Sequence, residues 1–373
     1  MSPALVLGLL LAQAAPPAAD PDAVALTGLR ILSGTHREVE SGTILLRGEK
    51  ILAVGADVQV PAGTKVLDRK GMTAFPGMMS PLSRLGMSEA PGAGGGAHHQ
   101  ALDEFSPVSE AIPQAARSGV TVFAIQPSGS GIAGRGALIK PVGWTRREQV
   151  LEKASFLRIV LEPGTAPKEA LRQALEGARK LLEADRKKVD EKTLPLVQFL
   201  KGELVALVEV ASPAELLHFW QVLDSFAECT PRVVFSAGPD VYKAAAALGA
   251  RKARVILRPV LAFAPFTRER INTAAELEKA GVQVAFAPLA ETPEALDGLF
   301  FRVAELVKYG LSRDAGLRAL TLGPAEMLGI DARTGSIDPG KDADFILLTG
   351  DPLSPQSRVK EVYINGRPVF PGE

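Results

Sequence analysis

Val120-Thr121-Val122-Phe123-Ala124-Ile125 is an unbroken apolar and β-branched run. The same texture returns at Leu204-Val205-Ala206-Leu207-Val208-Glu209-Val210, Arg232-Val233-Val234-Phe235, Arg254-Val255-Ile256-Leu257 and Val282-Gln283-Val284-Ala285-Phe286. Strands of this kind have no solvent-facing side. Helical patterns lie between them, so this region is predicted to be α/β, a parallel sheet covered on both faces. The clearest helix is expected from about Pro167 to Val189. There Leu171, Leu175, Ala178 and Leu182 recur at helical spacing, with Glu176 to Lys180 and Glu183 to Lys187 as outer i,i+4 pairs. Further helices are expected at Ala214 to Phe226, Asp240 to Leu248, Pro293 to Tyr309 and Arg313 to Leu320.

Outside this middle, both ends read as strands. Thr43-Ile44-Leu45-Leu46-Arg47 and Lys50-Ile51-Leu52-Ala53-Val54 flank Gly48-Glu49, and Lys65-Val66-Leu67-Asp68 follows Pro61-Ala62-Gly63. At the other end, Phe345-Ile346-Leu347-Leu348 and Val359 to Arg367 return to the same texture. The expected layout is 1–20 signal segment and linker, 21–75 and 331–373 two halves of one β domain, and 76–330 the α/β unit.

Composition narrows the partners. The 373 residues are 46% hydrophobic, enough for a large core, and 42 basic residues balance 42 acidic ones. That balance argues against a grip on nucleic acid or anionic membrane, both of which need clustered positive charge. Small molecules are the expected partners. Ala4 to Ala12 is an apolar run of signal-peptide length, followed by small residues around Ala14, although its n-region carries no Lys or Arg. It is too short for a stable membrane span. The expected location is therefore periplasmic or secreted. Cys229 is the only cysteine, which excludes an internal disulfide and a cysteine-based zinc cluster and reads as an inert thiol.

Several motifs recur in one order: Val54-Gly55, Val60-Pro61-Ala62-Gly63, Phe75-Pro76-Gly77-Met78-Met79-Ser80-Pro81-Leu82-Ser83-Arg84-Leu85-Gly86, Gly310-Leu311-Ser312, Ala319-Leu320-Thr321, and Gly335 to Pro352 with Pro339-Gly340-Lys341-Asp342-Ala343-Asp344 at its centre. Over about residues 24–370 this resembles the amidohydrolase superfamily. The resemblance implies a distorted (β/α)8 TIM-like barrel with a small β-sandwich formed from both termini, and chemistry at the C-terminal strand ends. It also implies one or two divalent metals, usually zinc. At the family's two first-strand histidine positions this chain has Leu82 and Arg84. The fifth-strand histidine falls at Val208 to Ala211, where only Glu209 could ligate. The sixth falls at Phe235 to Gly238 without an imidazole, and the eighth-strand aspartate falls at Phe286 to Ala290, around Leu289, without a carboxylate. Leucine offers no ligand atom and arginine only donates. The fourth-strand position is not placed by the motifs. No cofactor is expected on this reading.

Other groups bear on the site. Arg84 and Glu209 are expected to form a forked ion pair where the metal sits in relatives. His98 and His99 sit on a glycine-rich loop after the first barrel strand, and read either as mobile and exposed or as displaced ligands. His36 reads as a solvated loop residue and His218 as a helix-packing one. Gly129-Ser130-Gly131-Ile132-Ala133-Gly134 matches a dinucleotide fingerprint but runs on as a strand-like segment instead of opening a helix. That segment supplies Gln126 and Lys140 as candidate pocket lining. Asp103 and Glu104 read as solvated or capping carboxylates. The main expectation is an exported, catalytically degenerate family member with a binding, regulatory or assembly role, as a homo-oligomer or a heteromer with an intact relative. A working hydrolase of C–N bonds using His98, His99, Glu209 and Asp240 is the second reading. A metal-free small-ligand binding protein is the third. Whether the chain is an enzyme stays open.

Overall fold

The computed structural model describes residues 22–35, 38–88, 95–183, 189–264 and 266–371. The expected export segment at 1–20, His36 and Lys187 lie outside them. The chain opens with β1 (Ala23–Ile31), β2 (Val39–Arg47), β3 (Lys50–Gly55), β4 (Lys65–Asp68) and β5 (Thr73–Pro76). The middle holds β6 (Met78–Ser83), β7 (Val120–Ile125), β8 (Gly131–Ile139), β9 (Val150–Leu161), β10 (Val205–Val210), β11 (Arg232–Ala237) and β12 (Arg254–Leu257). A two-stranded hairpin, β13 (Ala262–Phe263) and β14 (Arg270–Ile271), precedes β15 (Gln283–Phe286). The chain closes with β16 (Phe345–Leu348), β17 (Val359–Ile364) and β18 (Arg367–Phe370).

The two ends of the chain build one eight-stranded sheet, ordered β18-β17-β16-β5-β1-β2-β3, with β4 also on β1. The ends meet where β5 and β16 pair antiparallel, Ile346 opposite Phe75 and Leu347 opposite Ala74. All residues of both strands are buried, so only a central place in the sheet suits them. At Gly77 the chain passes from this sheet into the next. A side chain there would lie 2.2 Å from Thr121 Oγ1, so the Pro-Gly step is sterically required.

The second sheet runs β15-β12-β11-β10-β9-β8-β7-β6. It is nearly closed into a barrel: Met79 of β6 and Phe286 of β15 donate backbone hydrogen bonds to Leu320 and Ala319, a segment that therefore bonds both edge strands. One strand departs from the expected parallel pattern. β8 runs antiparallel to β7 and β9, because residues 126–130 are too few for the crossover a parallel neighbour needs. Gly129 and Gly131 make that short turn at positive φ. The G-x-G-x-x-G segment thus enters a strand, and no helix starts within it.

Alternate strand residues face two cores. Met79, Val122, Ala124, Phe156, Val205, Leu207, Val234, Ile256, Ala285 and Ala287 fill the inside. Ile125, Ala206, Val208, Phe235 and Val255 pack outward with Leu171, Leu175 and Phe219 of the surrounding helices. The long helix covers Thr165–Glu183 in the described residues, and its ion pairs join Glu169 to Arg172 and Arg179 to Glu183 rather than Glu176 to Lys180. The helix expected over Asp240 to Leu248 is a 3-10 turn, Pro239–Ala244, leading into Ala245–Ala250. The one over Pro293 to Tyr309 is divided at Gly298 into Pro293–Asp297 and Leu299–Lys308. No helix among the described residues is long and apolar enough to cross a membrane.

Candidate functional site

The inner face of the barrel-like sheet continues beyond its core into a mouth at the C-terminal strand ends. Because side chains alternate, the residue two positions past an inner core residue also points inward. Ala124 is followed by Gln126, Phe156 by Arg158, Leu207 by Glu209 and Ile256 by Arg258. All four line a cavity of about 670 Å³, together with Leu82, Arg84 and Glu291. That size suits a small molecule.

Charge in the mouth is arranged around three guanidinium groups. Arg158 is 15% exposed, donates to the carbonyls of Pro127 (2.8 Å) and Gly129 (3.1 Å), and pairs with Glu209 at 2.9 Å. Arg84 reaches Glu104 at 3.6 Å and the Ser88 carbonyl at 3.3 Å. Arg258 is clamped through one nitrogen, Nη1, by the carbonyls of Pro288 (2.6 Å) and Leu289 (2.7 Å), and makes no ion pair among the described residues. Glu291 accepts from the Arg84 backbone N–H at 2.8 Å, while its second oxygen, Oε1, is shut off from solvent without a hydrogen-bond partner. Burial pushes the Glu291 carboxyl up, against the pull of the Ser83 hydroxyl, the Arg84 amide and the Arg84 and Arg258 charges.

Beside the mouth, Glu104 gathers a second set of bonds. It accepts from Ser128 N–H (3.0 Å) and Ser128 Oγ (2.7 Å) and meets His99 Nε2 at 2.7 Å. Against the upward push of burial, the His99 and Ser128 hydrogen bonds hold its carboxyl below the usual range. Glu104 is therefore neither solvated nor a helix cap; it ties the loop after β7 to the segment after β6.

The amidohydrolase from Thermotoga maritima MSB8, a solved structure, superposes with a TM-score of 0.80 at 25% identity, over 93% of this chain and 99% of that one. The family model described as "Amidohydrolase family" matches residues 302–370. The chain belongs to the amidohydrolase superfamily. Among curated relatives, an imidazolonepropionase from Picrophilus torridus is 34% identical over 115 residues, 29% of each protein. An N-acetylglucosamine-6-phosphate deacetylase from Danio rerio is 44% identical over 61 residues, 16% of this chain and 14% of the relative. The chain thus matches less than a third of the length of these curated relatives.

Measured against the amidohydrolase metal centre, the donor set does not fit a divalent ion. Leu82 packs toward the inner core, Arg84 is a cation, Glu209 is engaged by Arg158, and Leu289 contributes a carbonyl already bonded to Arg258. No three His, Cys, Asp or Glu side chains among the described residues are grouped to hold a metal. Of the three guanidinium groups at these strand ends, Arg84 and Arg158 are paired with carboxylates, while Arg258, without an ion pair among the described residues, opposes a cation electrostatically.

The remaining sequence candidates separate. Arg84, Gln126 and Glu209 line the cavity; His98, His99, Lys140 and Asp240 do not. The Arg84–Glu209 pair is not formed, since each has a different partner. His98 is exposed, and Asp240 is exposed and paired with Lys243 at 3.1 Å. His218 is exposed on its helix instead of packed. Lys140 is buried away from the mouth, contacting Asp342 at 2.8 Å, Asp344 at 2.7 Å and Asn365. Arg158, Arg258 and Glu291 carry no motif, and Glu104 reads in the sequence as solvated or capping. For Arg158 and Arg258 a signal existed: each stands two residues after an inward apolar residue of its strand. Glu291 lies one residue beyond Phe286 to Ala290, where the resemblance places the eighth-strand carboxylate.

Proposed function

We propose that this amidohydrolase-superfamily protein does not hydrolyse its ligand through a metal and instead uses the barrel mouth to bind a small molecule. The observation that carries this reading is the presence of Arg84, Arg158 and Arg258 in one cavity at the strand ends where relatives hold a metal. Hydrolysis of this kind needs an ion to polarise the scissile group, a water activated on it and a carboxylate to take the proton. The positions expected to supply the ion here offer leucine, arginine and a carboxylate already paired. The architecture behind the reading is a distorted (β/α)8 barrel, about 76–330, with a β-sandwich from 21–75 and 331–373. The near-closure through Ala319 and Leu320 and the β5–β16 pairing support it.

The test is elemental analysis of protein purified without chelators, run beside a panel of amide, cyclic amide and dipeptide substrates. Less than stoichiometric metal and no turnover are expected; a full equivalent of zinc with turnover would refute the reading. We also propose export and assembly, as a homo-oligomer or with an intact relative. N-terminal sequencing of the mature protein should begin near residue 15, and size-exclusion chromatography should show a species larger than one chain.

A further inference from the structure

We propose that the mouth is a receptor for a small organic carboxylate that also carries an N–H donor, held between Arg258 on one side and Glu209 on the other, with Gln126 lining the same cavity from the end of β7. The inference rests on the binding reading above and names its ligand. Three unfilled valences in the cavity support it. Arg258 has both hydrogens of Nη1 committed to backbone carbonyls, which fixes the plane of the guanidinium, while Nη2 and Nε have no partner among the described residues. A guanidinium held this way without a counter-carboxylate presents a preorganised fork whose two N–H groups match a carboxylate. Gln126 lines the cavity at 7% exposure, and its carboxamide has no hydrogen-bond partner among the described residues. A polar group that deeply placed is costly if left unpaired, so it meets water or ligand in the mouth. Glu209 lines the cavity and gives one oxygen, Oε2, to Arg158, while Oε1 has no partner among the described residues and can accept a ligand N–H.

The spacing restricts the ligand. β11 separates β10 from β12, so Glu209 and Arg258 stand two strand spacings apart, about 10 Å at the backbone, with side chains converging inward. A ligand of a few heavy atoms between carboxylate and N–H spans what remains. Pairing within the mouth also selects a single negative charge. Arg158 is matched by Glu209 and Arg84 by Glu104, which leaves Arg258 as the guanidinium without an ion pair among the described residues, and a dianion would meet Glu209 and Glu291.

The experiment is an NMR titration of the full chain near neutral pH with N-acetylglycine, which has both groups, N-acetylglycinamide, which lacks the anion, N-acetylsarcosine, which lacks the N–H, and inorganic phosphate. Saturable binding of N-acetylglycine is expected, with the amide and the N-methyl compound each about tenfold weaker. Arg258→Gln should weaken N-acetylglycine by about tenfold or more and Gln126→Leu by less, with thermal unfolding of each variant followed in parallel. No saturable binding, equal binding of acid and amide, or tighter binding of phosphate would overturn the inference. If either variant fails to fold, the acid, amide and N-methyl comparison on the unaltered protein decides alone. The same spectra report cleavage to acetate and glycine. Cleavage would sink the non-hydrolytic reading and leave the binding assignment standing, whereas absent binding would do the reverse.

Discussion

Two charged clusters in this molecule are built on opposite terms. At the junction of the sheets, Lys140 is 3% exposed and its ammonium is shared by Asp342, Asp344 and Asn365, while Asp342 also takes Lys50 and Arg333. Asp344 is fully covered, and its other oxygen accepts from the Asn365 N–H. The Lys140 ammonium and all four carboxylate oxygens of Asp342 and Asp344 there have partners. At the barrel mouth, Arg258 is exposed with the donors of Nε and Nη2 unused, Glu291 holds an unpartnered oxygen, and the buried Gln126 has a carboxamide without a partner among the described residues. The first cluster fixes how the chain ends dock on the barrel. The second leaves polar capacity open at a cavity, the arrangement expected where a ligand completes the set.

Breaking the sealed cluster should give the largest effect. Lys140→Met strands the buried Asp344 carboxylate without a cation and should lower stability by about 3–5 kcal/mol, measured by urea denaturation. Within the mouth, Arg158 is the most structural of the three arginines because it bonds two loop carbonyls and Glu209. Arg158→Met should cost about 2 kcal/mol in the same assay.

Acid titration sharpens the contrast by sign. Against the upward push of burial, Lys140, Lys50 and Arg333 hold Asp342 below the usual range, so its contribution is present above the unfolded pKa and fades as pH falls through the folded one. Glu291 is raised by burial, so its contribution is full in acid and is lost as pH rises through its folded pKa. Glu291→Gln should therefore gain stability relative to the unaltered protein as pH rises from roughly 4 to 8, with the gap closing in acid. An unchanged difference across that range would place the carboxyl in a solvated setting. The smallest change is expected for Arg258→Gln, within about 0.5 kcal/mol in stability, because an exposed arginine with no ion pair adds little to the fold.

Much of the scaffold was legible in the chain. The run quoted first is β7 residue for residue, and the strand-rich ends do join into one sheet. Periodicity reported burial well because these strands are covered on both faces. It reported direction poorly: β8 looks like its neighbours in composition, and only the shortness of residues 126–130 tells that it turns back. The site was legible as a loss, through Leu82 and Arg84, but its replacement was not. Family positions point to where relatives hold ligands, whereas Arg158 stands on β9 and Arg258 just past β12, where the family pattern expects no histidine. The expected Arg84–Glu209 pair failed for the same reason, since Arg158 lies on β9, next to Glu209 on β10, and takes the carboxylate first.

The most direct test of the account is the zinc content of the full chain after exposure to one equivalent of zinc and exhaustive dialysis. The arginine-lined mouth predicts far less than one zinc per chain, with no change in Glu209→Gln. One zinc per chain that survives dialysis and is lost in Glu209→Gln would contradict it.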